Sequence, residues 1–222
     1  MTPLIRAIVD TGALRHNLRR VRALAPGSRV MAVVKANAYG HGLVPTARAL
    51  AEADGCAVAR LDEALVLRAA GVSGRILLLE GVFNESQLEA AAAHGLELMV
   101  HTIEQVALLE SRTTATATPL RLWIKIDTGM NRLGFRPEQC GDAMRRLRQC
   151  AGIAGDPVLV THLACADEAA SPRTEAQLRL FADLTAGIPG ERSISNSAGL
   201  LGWPGSRSDW VRPGLVLYGV SP

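Results

Sequence analysis

Lysine is scarce enough in this chain to point at chemistry. Of 24 basic residues only two are lysine: Lys35, closing the apolar run of MAVVKANAYGHG, and Lys125, inside RLWIKIDTGM. Arginine stays protonated, whereas a lysine amine can lose its proton in a desolvated pocket and act as nucleophile or base. An ordinary lysine is a solvated side chain with its stem along the surface. Two survivors in an arginine-rich composition, each at the end of an apolar run, indicate positions where an amine is needed. With no metal-ligand cluster beside them, the chemistry indicated is Schiff-base formation, with a carbonyl substrate or with pyridoxal phosphate. A phosphate needs hydroxyls and backbone amides. SNSAG (195–199) offers Ser197 at a turn that begins a short helix, and RPGLVLYG (212–219) offers Gly214, where backbone can approach a ligand closely. Each is by itself only a turn signal.

Short β-branched or aliphatic runs alternate with stretches of helical period along the whole chain, the pattern of repeated βα units. Strands are expected at 29–37, 55–60, 75–81, 96–101, 120–127, 157–164, 192–197 and 209–214. Helices are expected near 43–53, 62–70, 84–94, 102–111, 137–150 and 174–185. A further helix at 11–24 would be capped by Asp10 or Thr11, and the seventh connection, AGLLGWPGS, has room for a turn or two. The fold class is therefore α/β, a (β/α)8 TIM-type barrel, with a doubly wound open sheet as the alternative. Reactive side chains fall at many strand ends: Lys35, Glu80, His101, Lys125 with Asp127, His162, Asn196 with Ser197, and Arg212. That distribution favours the barrel, whose C-terminal mouth gathers residues from several strands. LIRAIVD (4–10) alternates like a strand that would close the barrel's bottom or pair with a sheet elsewhere, and TTATATP (113–119) reads as an exposed low-complexity loop.

Composition narrows the function. The net charge of +3 is carried by arginine clusters such as Arg19, Arg20 and Arg22, or Arg145, Arg146 and Arg148, spaced as on solvated helix faces. With aromatics at 4%, no nucleic-acid partner is expected. No apolar run approaches the ~18 residues of a membrane span, and the N-terminus is too short and polar for a signal peptide, so a cytoplasmic location is expected. Cys56, Cys140, Cys150 and Cys165 have neither metal spacing nor disulfide-scaffold density, so they read as reduced and mostly buried thiols, and no metal site is expected.

With these segments assembled, the chain closely resembles the alanine racemases, pyridoxal-phosphate enzymes of barrel fold. AVVKANAYGHG matches the family's cofactor-lysine segment, KIDTGMNRLGF its central strand, THLACAD its histidine segment, and SNSAG and RPGLVLYG its phosphate and pyridine segments. The resemblance implies that Lys35 holds the cofactor and acts as base on one face of the substrate. It implies phosphate contacts from Tyr39, Ser197 and the amides of Gly214 and Leu215, and a pyridine contact from Arg212. Arg132 would lie near the substrate carboxylate, and His162 would link the opposite base to Arg212. Lys125 would be carbamylated so as to hold Arg132, or else would pair with Asp127. The family's subunit continues into a C-terminal β domain that supplies a tyrosine base across a homodimer. Residues 1–10 would pair with that domain, and residues 1–222 would form the barrel. On this reading the chain binds cofactor but racemises alanine poorly by itself. The alternatives are a single-domain pyridoxal-phosphate carrier without racemase activity, or a related decarboxylase or aldolase. The ANAYGHG continuation and Arg212 respectively disfavour them.

Overall fold

The computed structural model describes residues 7–112 and 119–222. Eight parallel strands close into a barrel in sequence order: β1 (Arg29–Val33), β2 (Gly55–Val58), β3 (Ile76–Leu78), β4 (Glu97–Val100), β5 (Leu122–Lys125), β6 (Val158–Val160), β7 (Arg192–Ser193) and β8 (Trp210–Val211). Closure is made by β8 on β1, with Arg29 opposite Trp210 and Val30 opposite Val211. Around it lie α1 (Thr11–Leu24), α2 (Leu43–Ala49), α3 (Leu61–Ala69), α4 (Glu85–Ala93), α5 (Ile103–Glu110), α6 (Pro137–Leu147), α7 (Arg173–Thr185) and the short α8 (Ser197–Gly202).

The strands read as unbroken apolar runs because both faces are covered. Met31, Val33, Ala57, Leu77, Met99, Trp123, Val158, Val160 and Trp210 fill the barrel interior. Their neighbours Val30, Ala32, Val58, Leu78, Leu98, Ile124 and Leu159 pack in the layer beneath the helices. In α1, Leu14, Leu18 and Val21 recur at helical spacing and are buried. Asp10 caps that helix by accepting from the amides of Gly12 at 2.7 Å and Ala13 at 3.1 Å, a bond set worth about 1 kcal/mol.

The barrel's N-terminal end is closed by charge and aromatic rings. Glu97 accepts from Arg75 Nε at 2.5 Å and from Trp123 Nε1 at 2.7 Å. Trp123 meets Trp210 edge-on with centroids 5.3 Å apart, and the Arg29 and Arg75 guanidinium groups lie 4.4 and 4.5 Å from the Trp210 ring. Glu191 accepts from Trp210 Nε1 and pairs with Arg29. A ligand therefore has the opposite end of the barrel to occupy.

The strands are shorter than the apolar runs suggest, above all β7 and β8, which pair over two residues each. The segment 192–197 leaves the ladder to start α8, and 209–214 leaves it to reach a 3-10 turn at Leu215–Tyr218. Residues 34–37, expected to continue β1, instead enter a left-handed turn, Lys35–Tyr39. Of LIRAIVD, residues 4–6 lie outside the described residues and 7–10 take part in no strand. Residues 113–118 of the threonine–alanine segment also lie outside them. Cys56, Cys140 and Cys165 are buried free thiols, and Cys150 is half-buried. Among the described residues no helix is long and apolar enough to cross a membrane, and no group of three or more His, Cys, Asp or Glu could hold a metal.

Candidate functional site

Side chains alternate along a strand, so a residue two positions beyond an interior one projects to the same side. Lys35 follows Val33 in this way, Lys125 follows Trp123, His162 follows Val160 and Arg212 follows Trp210. The four meet in one cavity of about 440 Å³ at the C-terminal mouth, which Tyr39, Arg132, Ser197, Gly214 and Leu215 also line. Every residue singled out from the sequence as catalytic or cofactor-binding thus lies on a single wall system. Its volume is in the ordinary range for a small-ligand site.

The β1 side of the mouth is built by an unusual backbone. Ala36, Asn37, Ala38 and Tyr39 all have φ between 52° and 54°. Left-handed L-residues cost roughly 1–2 kcal/mol each because Cβ crowds the next carbonyl oxygen. The turn brings Tyr39 against Tyr218, ring centroids 4.8 Å apart, and Tyr218 Oη donates to Val33 O at 3.0 Å. Burial raises the pKa of both phenols, so both remain hydroxyl donors. Position 214 must be glycine for this arrangement: a Cβ there would lie 2.6 Å from Tyr39 Oη. Beside it, Ser197 Oγ accepts from the amides of Gly214 at 3.0 Å and Val216 at 3.3 Å. Those two bonds leave the Ser197 hydroxyl proton available to a further acceptor.

Arg212 is buried and spends its terminal nitrogens on the wall. Nη1 donates to Ser193 Oγ at 2.5 Å, and Nη2 donates to Thr161 O at 2.6 Å and Ile194 O at 3.3 Å. The Nε–H and the second Nη1–H are the donors left over. Burial lowers this guanidinium to about 10, still a cation at neutral pH.

Lys125 is buried as well, and among the described residues its amine has no hydrogen bond or ion pair. Burial, then the positive charges of Arg212 and Arg132, push it down to about 7, with Asp127 pulling weakly the other way. The Lys125–Asp127 pair, the alternative to a carbamylated lysine, does not form. Asp127 Oδ1 instead accepts from the amides of Gly129 and Asn131, each at 3.0 Å, because the chain leaves the strand and folds back over the carboxylate. Phe135 N donates to Lys125 O at 2.9 Å and Asp127 N to Phe135 O at 2.8 Å, closing the loop that presents Arg132. A Cβ at Gly134 would meet Asp127 N at 2.7 Å, which explains the glycine in NRLGF.

His162 lies half-buried in the wall. Burial, then the nearby basic groups with Arg212 first, hold it well below the usual imidazole range, so it is neutral at pH 7. Among the described residues no hydrogen bond joins it to Arg212, whose guanidinium bonds Ser193, Thr161 and Ile194. Its ring Nε2 is 3.5 Å from Asn196 Nδ2, and Asn196 also caps α8 through Gly199 N at 2.9 Å. His101, another strand-end candidate, is buried outside the cavity with Nε2 3.0 Å from Glu80 O. The cavity adds Asp167 and Leu133, which had no signal beyond lying in the histidine and central segments.

The chain matches the family described as alanine racemase, N-terminal domain, over residues 9–222. It is 50% identical over all its 222 residues to an alanine racemase of Shewanella sediminis, of which it spans 62%. Among solved structures it is similar to the biosynthetic alanine racemase of Pseudomonas aeruginosa, with TM-score 0.91 and 43% identity, covering 96% of this chain and 59% of that one. It is also similar to the alanine racemase of Bacillus anthracis with bound L-Ala-P, with TM-score 0.85 and 31% identity, covering 100% of this chain and 60% of that one. The matched span is thus about three-fifths of these relatives' length.

Proposed function

The chain belongs to the alanine racemase N-terminal domain family, and from that premise we propose that it forms the pyridoxal-phosphate-binding part of a cytoplasmic enzyme interconverting L- and D-alanine for cell-wall synthesis. The observation that carries this reading is the convergence of Lys35, Tyr39, Ser197, Arg212 and Gly214 on one cavity.

The donor set fits the cofactor. The Ser197 and Tyr39 hydroxyls and the Leu215 amide suit a phosphate, which needs several donors and no Cβ at position 214, while the Gly214 and Val216 amides hold Ser197 in place. The Arg212 Nε–H suits an acceptor ring nitrogen, and a guanidinium that cannot readily give up a proton leaves that nitrogen unprotonated. Bound pyridoxal phosphate would supply an electron-withdrawing ring that makes the Cα proton of an amino acid acidic. Lys35 would hold the group covalently and, when released by the substrate amine, would take up or return the Cα proton on one face. Arg132 would orient the substrate carboxylate. The Lys125 amine, lowered to about 7, has an unprotonated fraction at neutral pH suited to react with carbon dioxide, releasing one proton and becoming an anion near Arg132 and Arg212.

Exchange on the other face needs a second base. Tyr218 is bonded to Val33 O and Tyr39 stands at the phosphate side. We therefore assign that role to a tyrosine in the length the relatives carry beyond the matched span, presented across a homodimer.

Pyridoxal phosphate added to the purified chain is expected to give a violet absorption band that Lys35→Ala abolishes. Deuterium should then enter Cα of one alanine enantiomer faster than the other. Persistence of the band in Lys35→Ala rejects the assignment, and fast racemisation by this chain alone rejects the two-face account.

A further inference from the structure

The strand before Lys35 is tied into the barrel by Val33 N to Pro213 O at 2.9 Å and Val34 N to Ala57 O at 2.8 Å. Lys35 leads directly into the left-handed run, and a backbone of that kind persists only where its surroundings over-determine it. Most of its bonds are internal. Gly42 N donates to Asn37 O at 3.0 Å, Leu43 N donates to Asn37 Oδ1 at 2.8 Å, and the His41 ring lies 3.1 Å from Ala38 O. These bonds hold the turn's shape without fixing it to the barrel.

Glu63, in the first turn of α3, makes that connection. Its Oε1 accepts from Asn37 N at 3.1 Å and its Oε2 from Ala59 N, just past β2, at 2.9 Å. Among the described residues, Glu63 is the one hydrogen-bond partner of residues 35–42 that lies outside 33–46. It does not line the cavity, so it touches neither substrate nor cofactor.

We propose that Glu63 is a positioning residue for Lys35, a carboxylate bridge that fastens the left-handed turn carrying Lys35 and Tyr39 to the mouth end of the adjacent strand. The bridge rests on the assignment of Lys35 above. It needs both oxygens. The amide introduced by Glu63→Gln would present one acceptor and one donor to two N–H groups, and the shorter carboxylate introduced by Glu63→Asp keeps the charge without spanning both amides.

The test compares the 222-residue chain with Glu63→Gln and Glu63→Asp. Without cofactor, amide exchange in 35–42 and at Ala59 is expected to quicken about tenfold in both variants, the loss of roughly one charge-assisted hydrogen bond. Segments of β5 and α6 should exchange as before. With pyridoxal phosphate, the violet band should appear about tenfold more slowly in both variants. Unchanged exchange in 35–42, or acceleration spread evenly over all segments, overturns the bridge. Wild-type capture by Glu63→Asp beside slow capture by Glu63→Gln also overturns it, since charge and not span would then matter. If the unaltered chain forms no Lys35-dependent band, the cofactor assignment fails while the exchange measurement still decides the role of Glu63.

Discussion

Replacing Lys125 by methionine is expected to stabilise the protein at neutral pH. The folded structure holds this amine at about 7 against an ordinary 10.5, chiefly by burial and secondly by Arg212 and Arg132. Between those values the unfolded chain binds a proton that the folded protein does not, so stability rises with pH across the window, by about 1.36 kcal/mol per pH unit. From 10.5 down to about 7 the accumulated penalty is roughly 5 kcal/mol. Below about 7 both states are protonated and the penalty is carried in full. Methionine fills a similar volume without a charge, so wild-type and variant curves should meet near the top of the window and diverge as pH falls. Urea unfolding in buffers free of carbon dioxide, taken above pH 7.5 where His162 is neutral in both states, isolates the Lys125 contribution in the difference curve. Bicarbonate should stabilise the wild type alone. A difference curve flat through this range, or a variant less stable than wild type at pH 7.5, refutes the account of a buried amine kept neutral by neighbouring arginines.

Gly214→Ala is expected to weaken pyridoxal-phosphate binding at least tenfold and to cost about 1–3 kcal/mol of stability, because the new Cβ, 2.6 Å from Tyr39 Oη, must displace a ring held against Tyr218; an unaltered titration curve would contradict this. Glu97→Gln is expected to cost roughly 2–4 kcal/mol by leaving Arg75 and Trp123 without their shared carboxylate at the closed end of the barrel. Unfolding followed by tryptophan fluorescence measures that cost, and cofactor affinity should not change, since the site lies at the opposite end.

The positions of the eight strands were readable because burial on two faces writes a continuous apolar run, a signal that needs no knowledge of partners. Their ends were not. Segment 209–214 carries residues of strand type to Val211 and then Arg212, but the strand ends at Val211, with only single backbone bonds at Arg212 and Pro213 beyond it. Beyond it the guanidinium is held by Ser193 and Ile194 of the neighbouring strand segment and by Thr161 just past β6, contacts distant in sequence. The left-handed turn was less legible still. ANAY contains no glycine, and the groups that brace it come from distant sequence: Glu63 reaches Asn37 across 26 positions, and Tyr218 reaches Val33 across 185. A Lys125–Asp127 pair was the alternative to a carbamylated lysine. Local amides took the carboxylate first, because an aspartate at a loop entrance bonds the backbone just ahead of it.

The electrostatics of the mouth connect these departures to the scarcity of lysine. Lys35, Lys125, Arg132 and Arg212 share the cavity with two carboxylates, Glu80 and Asp167. Four fixed cations so placed would repel one another at short range in a partly desolvated space. An arginine at position 125 would keep its charge between Arg132 and Arg212, and an arginine at position 35 would offer no amine to a carbonyl. A lysine can discharge where surroundings are unfavourable, and Lys125, without a counter-ion and held at about 7, does so at the edge of the physiological range. The remaining positive field, from Arg212 and Arg132, then suits a ligand bearing phosphate and carboxylate, while the neutral His162 adds nothing to the repulsion. Of the two positions that escape the chain's preference for arginine, 125 is thus one where a fixed charge is costly, and 35, on the proposed function, one where an amine is needed.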